Sequence, residues 1–218
     1  MIRLHHCPQS RSMRSLWLLH ELGIPFELIE WPFDKTLRSP EFLALNPAGR
    51  VPALELDGQT IWETGAITEL LCELYPHTGL GRFAGDPERA QWLIWVHFAE
   101  TISQHSAALT QQHVALYDDT MRSPIIMKIE ARRIEKCYDA LEQRLEGRDY
   151  LLDSGFSAAD ISVGQAVYMA RHFAKTEPFE RLQAWYDRIT ARPGFVASLP
   201  IDPKVRLYLR DYFEPWVG

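Results

Sequence analysis

Two short segments carry the residue types that hold a small charged peptide: Asn46-Pro47-Ala48-Gly49-Arg50-Val51-Pro52 and Trp62-Glu63-Thr64-Gly65-Ala66-Ile67. Val51-Pro52 stands where a loop turns into the strand-like run Ala53-Leu54-Glu55-Leu56. Proline removes a ladder donor there, and an X-Pro bond is one of the few that adopts cis. A cis bond at this place turns the backbone N–H and C=O of Val51 outward, an edge on which another peptide forms β-type bonds. Glu63-Thr64 opens the apolar-periodic run Ile67, Leu70, Leu71, Leu74, which puts both residues at a helix N-terminus. Free N–H groups and the positive end of the helix dipole favour a carboxylate at that point, and the Glu63 charge suits an ammonium. A ligand with a peptide backbone, a free carboxylate and a free ammonium satisfies all of these groups.

The elements that must position these groups are legible upstream and downstream. Ile2 to His6 reads as a strand closed by Cys7-Pro8-Gln9-Ser10, followed by a helix with Leu16, Trp17, Leu19, His20 and Leu22 in register and Gly23 as its stop. Ile24-Pro25 leads into a second strand, Phe26-Glu27-Leu28-Ile29. Asp57-Gly58 joins Ala53–Leu56 to Gln59–Trp62 as a two-residue hairpin, and the helix from Thr64 to Tyr75 ends at Pro76. The order is β-α-β, a connecting stretch, then β-β-α, the order of a thioredoxin-like domain over residues 1–76. Residues 77–86, rich in glycine, read as an interdomain linker.

From 87 to 218 the pattern is all-helical. Pro87 starts a long helix carrying Trp92, Trp95, Val96, Ala99 and Ile102, and Ser123-Pro124 is an N-cap and N1 pair for another that runs to Gly147. Ser157 with Asp160 makes a capping box, stapled by Phe156 and Ile161. A last helix runs from Phe179 through Leu182, Trp185, Tyr186 and Ile189 and stops at Arg192-Pro193-Gly194.

Bulk properties narrow the function classes. With 218 residues, 46% hydrophobic and 24% charged, the chain is long enough for one large domain or two small ones and for a real core. A formal net charge of −6 gives no support to a nucleic-acid or anionic-membrane partner. No apolar run approaches the ~20 residues a membrane helix needs, and Met1-Ile2-Arg3-Leu4 reads as a strand rather than a signal peptide. Cys7, Cys72 and Cys137 are widely spaced and odd in number, which points to free thiols and a reduced cytoplasm.

A thioredoxin-like half, a linker and an all-helical half resemble the cytosolic glutathione transferase superfamily, with an α/β plus all-α fold. Val51-Pro52 falls where that family has its cis-proline loop, Glu63-Thr64 resembles its acidic-plus-hydroxyl pair, and Ser157–Asp160 matches its capping box. Ser10-Arg11-Ser12-Met13-Arg14-Ser15-Leu16-Trp17-Leu18-Leu19 is similar to the first helix of many bacterial and fungal members. The resemblance implies that the ligand is glutathione as a co-substrate, with no metal or organic cofactor. It implies that the Val51 backbone pairs with the cysteinyl unit, that Glu63 and Thr64 bind the γ-glutamyl ammonium and carboxylate, and that Arg50 meets the glycyl carboxylate or points to solvent. It also implies a small apolar electrophile held by the helical half, and a homodimer.

Two residues compete for the sulfur. Ser10, ahead of the first helix, matches the serine of serine-type members, whose hydroxyl donates to the glutathione sulfur and favours thiolate over thiol; its plainer role is an N-cap, and Ser12 is a second choice for either. Cys7 begins a C-x-x-S sequence at a strand-to-helix turn, similar to a single-cysteine glutaredoxin site and near the cysteine of omega-like members, which run thiol exchange. Cys7 is equally readable as a small apolar group at the end of a buried strand. Three functions therefore stand side by side: conjugation through Ser10, glutathione-dependent thiol–disulfide or dehydroascorbate-type reduction through Cys7, and a non-catalytic binding protein on the same fold.

Other features invite over-reading. His5-His6 looks like a metal pair, but adjacent strand residues point to opposite faces, and His97, His105 and His113 lack the spacing of a zinc helix. No metal site is expected. Trp92 and Trp95 suit either a core or a pocket, and the aromatic tail from Tyr208 to Trp216 suits either docking or a lid.

Overall fold

A computed structural model describes residues 1–202 and 207–214. The chain forms two compact units, Met1–Trp92 with Ala191–Leu207, and Leu93–Thr190 with Tyr208–Gly218. The first unit thus runs past residue 76 and gathers a late segment that the sequence groups with the helical domain.

The first unit is built on a four-stranded mixed sheet in the order β2-β1-β3-β4. Strand β1 (Ile2–His6) lies parallel to β2 (Glu27–Glu30) and antiparallel to β3 (Ala53–Leu56), which pairs antiparallel with β4 (Gln59–Trp62). Asp57 and Gly58 both take positive φ, 50° and 81°, as a tight hairpin between two right-twisted strands requires. Helix α1 (Met13–Leu22) buries Leu16, Trp17, Leu18 and Leu19 and stops at Gly23, whose φ of 66° lets its N–H turn back to the His20 carbonyl.

A short helix α2 (Pro40–Leu45) lies in the stretch the sequence reading leaves as a connection. Its start is well signalled, since the Ser39 hydroxyl accepts from Phe42 N–H and Pro40 occupies the first turn, but six residues give too short an apolar pattern to register. Helix α3 (Thr64–Leu74) follows β4 directly. The expected linker is in fact packed: Pro76–Thr78 form a 3-10 turn, Trp92 Nε1 donates to Leu80 O at 2.9 Å, and buried Arg82 donates to Gly79 O and Gly81 O.

The later helices are α4 (Arg89–Thr110), α5 (Pro124–Arg144), α6 (Ala158–Ala170), α7 (Glu180–Thr190) and α8 (Pro193–Ala197). Helix α4 begins two residues after the expected Pro87, and Pro193 does not merely stop α7; it opens α8. Helix α8 belongs to the first unit, where Phe195 meets Trp17 edge-to-face at 4.9 Å and Arg192 grips the Glu21 carboxylate through two hydrogen bonds of 2.9 and 2.7 Å.

In the second unit the Ser157–Asp160 capping box forms as read. Fully buried Asp160 also accepts from Leu151 N–H and Trp185 Nε1, each at 2.9 Å, so one carboxylate joins the α6 cap, the preceding loop and α7. The described part of the tail docks on this unit: Tyr208 stacks on His172 at 4.2 Å, and Phe213 N–H donates to His172 O. Pro215 and Trp216 lie outside the described residues. No helix among the described residues is long and apolar enough to cross a membrane.

Candidate active site

Three pieces of the first unit converge: the turn between β1 and α1, the loop before β3, and the start of α3. Two contacts bring them together. Arg14 Nη1, on α1, donates to Thr64 Oγ1, on α3, at 2.7 Å. Cys7, after β1, shares an apolar cluster with Val51, Leu37 and Phe42, against which Trp31 and Leu45 also pack.

The loop before β3 is held from within. Asn46, 3% exposed, donates through Nδ2 to Arg50 O at 2.6 Å and accepts Ala48 N–H at Oδ1. Gly49 has a φ of 62°, and a Cβ there would come within 2.9 Å of Leu37 O. The Val51-Pro52 bond is cis, the Val51 side chain is buried in the cluster, and the ladder begins only at Ala53, so Val51 lies outside it. The Arg50 side chain is exposed.

At the start of α3, Glu63 is an exposed residue with a φ of 78°, outside the ordinary regions for an L side chain. Its carboxylate does not cap the helix and no acidic residue occupies the first turn. The positive end of a helix favours an anion. Thr64 is buried; its Oγ1 accepts the Arg14 bond and its carbonyl accepts from Thr68 Oγ1 at 2.8 Å. Arg14, with 1% exposure, is the functional-looking group that sequence periodicity passes over. Its signal in the sequence is its place in the run Ser10–Leu19, where it anchors the match of Ser10 to the serine of serine-type members.

The turn after β1 separates the two sulfur-facing candidates. Cys7 is fully buried, and its thiol is pushed up to about 12, first by burial and then by the charges of Asp34 and Glu30. A thiol held there contributes almost no thiolate at neutral pH. Ser10 is not the N-cap of α1. That position is Ser12, and α1 starts three residues beyond Ser10. The Ser10 hydroxyl donates to Cys7 O at 2.8 Å and lies 2.8 Å from Ser12 Oγ. Ser12, fully buried, caps nothing with its side chain, because its oxygen turns back to His6 Nδ1 at 2.7 Å and accepts Cys7 N–H at 3.1 Å. Burial alone lowers the His6 imidazole to about 4, so the ring is neutral near pH 7.

The two histidines of β1 do part company across the sheet. His5 accepts from Trp31 Nε1 and pairs with Glu55, while His6 pairs with Ser12. His105 pairs with Glu130 at 2.6 Å and His113 stacks on Phe173, and among the described residues no three His, Cys, Asp or Glu side chains gather as a metal site would need.

The family model described as "Glutathione S-transferase, N-terminal domain" matches residues 6–74, and that described as "Glutathione S-transferase, C-terminal domain" matches residues 107–188. Glutathione S-transferase 3 of Schizosaccharomyces pombe is 25% identical, over 89% of this chain and 85% of its own length. A glutathione transferase structure from Methylococcus capsulatus is 27% identical with a TM-score of 0.78, covering 91% of this chain and 97% of the other. A sphingomonad glutathione S-transferase solved in complex with glutathione is also 27% identical, with a TM-score of 0.77 over 90% of this chain and 96% of the other.

Proposed function

This chain belongs to the glutathione S-transferase superfamily, and on that footing we propose that it joins the glutathione thiolate to a small apolar electrophile, with Ser10 as the hydroxyl that meets the sulfur. Glutathione transferase activity in the broad sense is shared with its relatives. The finer reading rests chiefly on one observation: Cys7 is sealed in an apolar cluster with its thiol pushed up to about 12, whereas Ser10 lies in a network of hydroxyls ahead of α1. A sealed, protonated thiol is a poor nucleophile, and a hydroxyl that donates to sulfur favours the thiolate.

In this reading the Val51 backbone pairs with the cysteinyl unit beside cis-Pro52. Thr64 and the α3 N-terminus take the γ-glutamyl carboxylate, Glu63 takes its ammonium, and exposed Arg50 reaches the glycyl carboxylate. The enzyme works as a homodimer in the cytoplasm, with glutathione as co-substrate and no further cofactor.

The test is a pair of substitutions assayed with glutathione and an aryl halide. Ser10→Ala is expected to lower kcat/KM by about 10²-fold, the scale of a lost transition-state hydrogen-bond donor, and Cys7→Ser to leave conjugation within about threefold. If only Cys7→Ser abolishes turnover, and a mixed disulfide on Cys7 appears by mass spectrometry, the serine reading is wrong. A chain that neither turns over nor gains thermal stability with glutathione is the non-catalytic protein instead.

A further inference from the structure

We infer that His6 and Ser12 are positioning residues that aim the Ser10 hydroxyl proton at the glutathione sulfur through one hydrogen-bonded chain, His6 Nδ1 to Ser12 Oγ at 2.7 Å and Ser12 Oγ to Ser10 Oγ at 2.8 Å. The inference rests on the serine reading above and adds what decides the direction of the serine's proton.

The argument is a count of protons and lone pairs. Ser12 Oγ stands within bonding distance of Cys7 N, His6 Nδ1, Ser10 Oγ and Cys7 O, at 3.1, 2.7, 2.8 and 3.2 Å. A hydroxyl has one proton and two lone pairs. Cys7 N–H can only donate, so it takes the first lone pair. The second goes either to His6 or to Ser10, and the choice sets the whole chain.

When His6 carries its proton on Nδ1, it donates to Ser12. Ser12 then spends its own proton on Ser10, whose oxygen is nearer than Cys7 O. Ser10 Oγ also accepts Ser12 N–H at 3.2 Å. Its proton donates to Cys7 O in this structure, and a bound sulfur would take that proton in place of the carbonyl. Donors feeding one another in series polarise the last O–H, and a polarised donor favours the charged form of its acceptor. The thiol proton itself passes to solvent, leaving the electron pair on sulfur.

When His6 carries its proton on Nε2, the two side-chain bonds of the chain reverse. Ser12 donates to His6, Ser10 donates to Ser12, and the site offers sulfur a lone pair, which stabilises the thiol. His6 as terminal base fails on magnitude, because an imidazole held at about 4 does not keep a proton drawn from a thiol that titrates near ~8.5. The productive state is a neutral His6 with hydrogen on Nδ1.

The experiment has two arms. In the free protein, nitrogen-15 imidazole spectra, with the His6 signal assigned by its loss in His6→Asn, are expected to show protonated Nδ1 and bare Nε2 from pH 8 down to about pH 5. A proton on Nε2 overturns the inference whatever the protein binds. In the second arm the bound glutathione thiol is titrated by its thiolate ultraviolet absorbance. His6→Phe and Ser12→Ala are expected to raise its pKa by about one unit, a roughly tenfold smaller thiolate fraction at neutral pH, with glutathione KM within about twofold. His6→Asn, whose amide nitrogen can take the place of Nδ1, is expected to restore it. Where His6→Phe does not fold, Ser12→Ala carries the arm. An unshifted thiol pKa in the folded variants overturns the inference and spares the glutathione reading. A wild-type chain that forms no bound thiolate overturns both.

Discussion

Arg14 donates from Nη1 to Thr64 Oγ1 at 2.7 Å, so a buried cation of α1 holds the first residue of α3. A hydrogen bond from a charged donor contributes roughly 1.5–3 kcal/mol, and this one sets the threonine that faces the proposed γ-glutamyl carboxylate. Arg14→Leu is expected to lower the unfolding free energy by about 2–3 kcal/mol and to raise glutathione KM severalfold. Urea denaturation and steady-state kinetics read the two effects. An unchanged midpoint would show that the bond contributes nothing.

Cys7 is expected to be chemically silent in the folded protein. With no exposed surface and a thiol pushed up to about 12, it should resist iodoacetamide at pH 7.5 and react once the chain is unfolded in urea. Peptide-resolved mass spectrometry after short labelling separates it from Cys72 and Cys137, which are also buried. Rapid native labelling of Cys7 would contradict the sealed cluster.

The loop that presents Val51 depends on Asn46 and Gly49. Asn46→Ala removes the bonds to Arg50 O and Ala48 N, at a cost of about 1–2 kcal/mol. Gly49→Ala puts an L side chain at φ 62° and a Cβ within 2.9 Å of Leu37 O, a further roughly 1–2 kcal/mol of backbone strain before the clash is counted. Both variants are expected to weaken glutathione binding by calorimetry more than an Arg50→Ala change does, since Arg50 is exposed.

Acid is expected to destabilise the fold through buried histidines. His6 and His113 are held at about 4 against an ordinary 6.5, chiefly by burial, with Arg122 and Arg210 adding to the effect on His113; His172 is lowered in the same direction, again chiefly by burial. The unfolded chain therefore binds more protons than the folded one between those values. Their contribution to stability is present above pH 6.5 and is lost as pH falls toward about 4. The slope is about 1.4 kcal/mol per pH unit for each proton taken up on unfolding. Urea unfolding at pH 7.5, 6 and 5 measures it, and His6→Asn should flatten it by up to one proton. A stability that rises on acidification would reverse the sign.

Much of this molecule is written locally. The Asp57-Gly58 turn, the Gly23 stop and the Ser157–Asp160 box are decided by φ/ψ preference and by hydrogen bonds between residues a few positions apart, and each stands where the sequence puts it, while β2 lies one residue beyond the run Phe26–Ile29 read for it. Val51-Pro52 and Glu63-Thr64 are legible for the same reason: a proline before a strand and an acidic–hydroxyl pair before an apolar helix are short-range signals. Helix α2 escapes because six residues hold too little periodicity, and α8 because Pro193 reads as a stop as readily as a start.

What sequence alone leaves open is the chemistry at Cys7, Ser10 and Ser12, because it turns on burial and on contacts between residues far apart in the chain. Cys7 reads either as a nucleophile or as a small buried apolar group, and Val51, Leu37 and Phe42 pack around it. Arg14 meets Thr64, fifty positions away, a contact no local pattern announces. Sequence determined much of the backbone frame, since that follows from short-range preference. Tertiary structure decided that the Cys7 thiol is held protonated and the His6 imidazole neutral near pH 7, since desolvation exists only once the chain has folded around them.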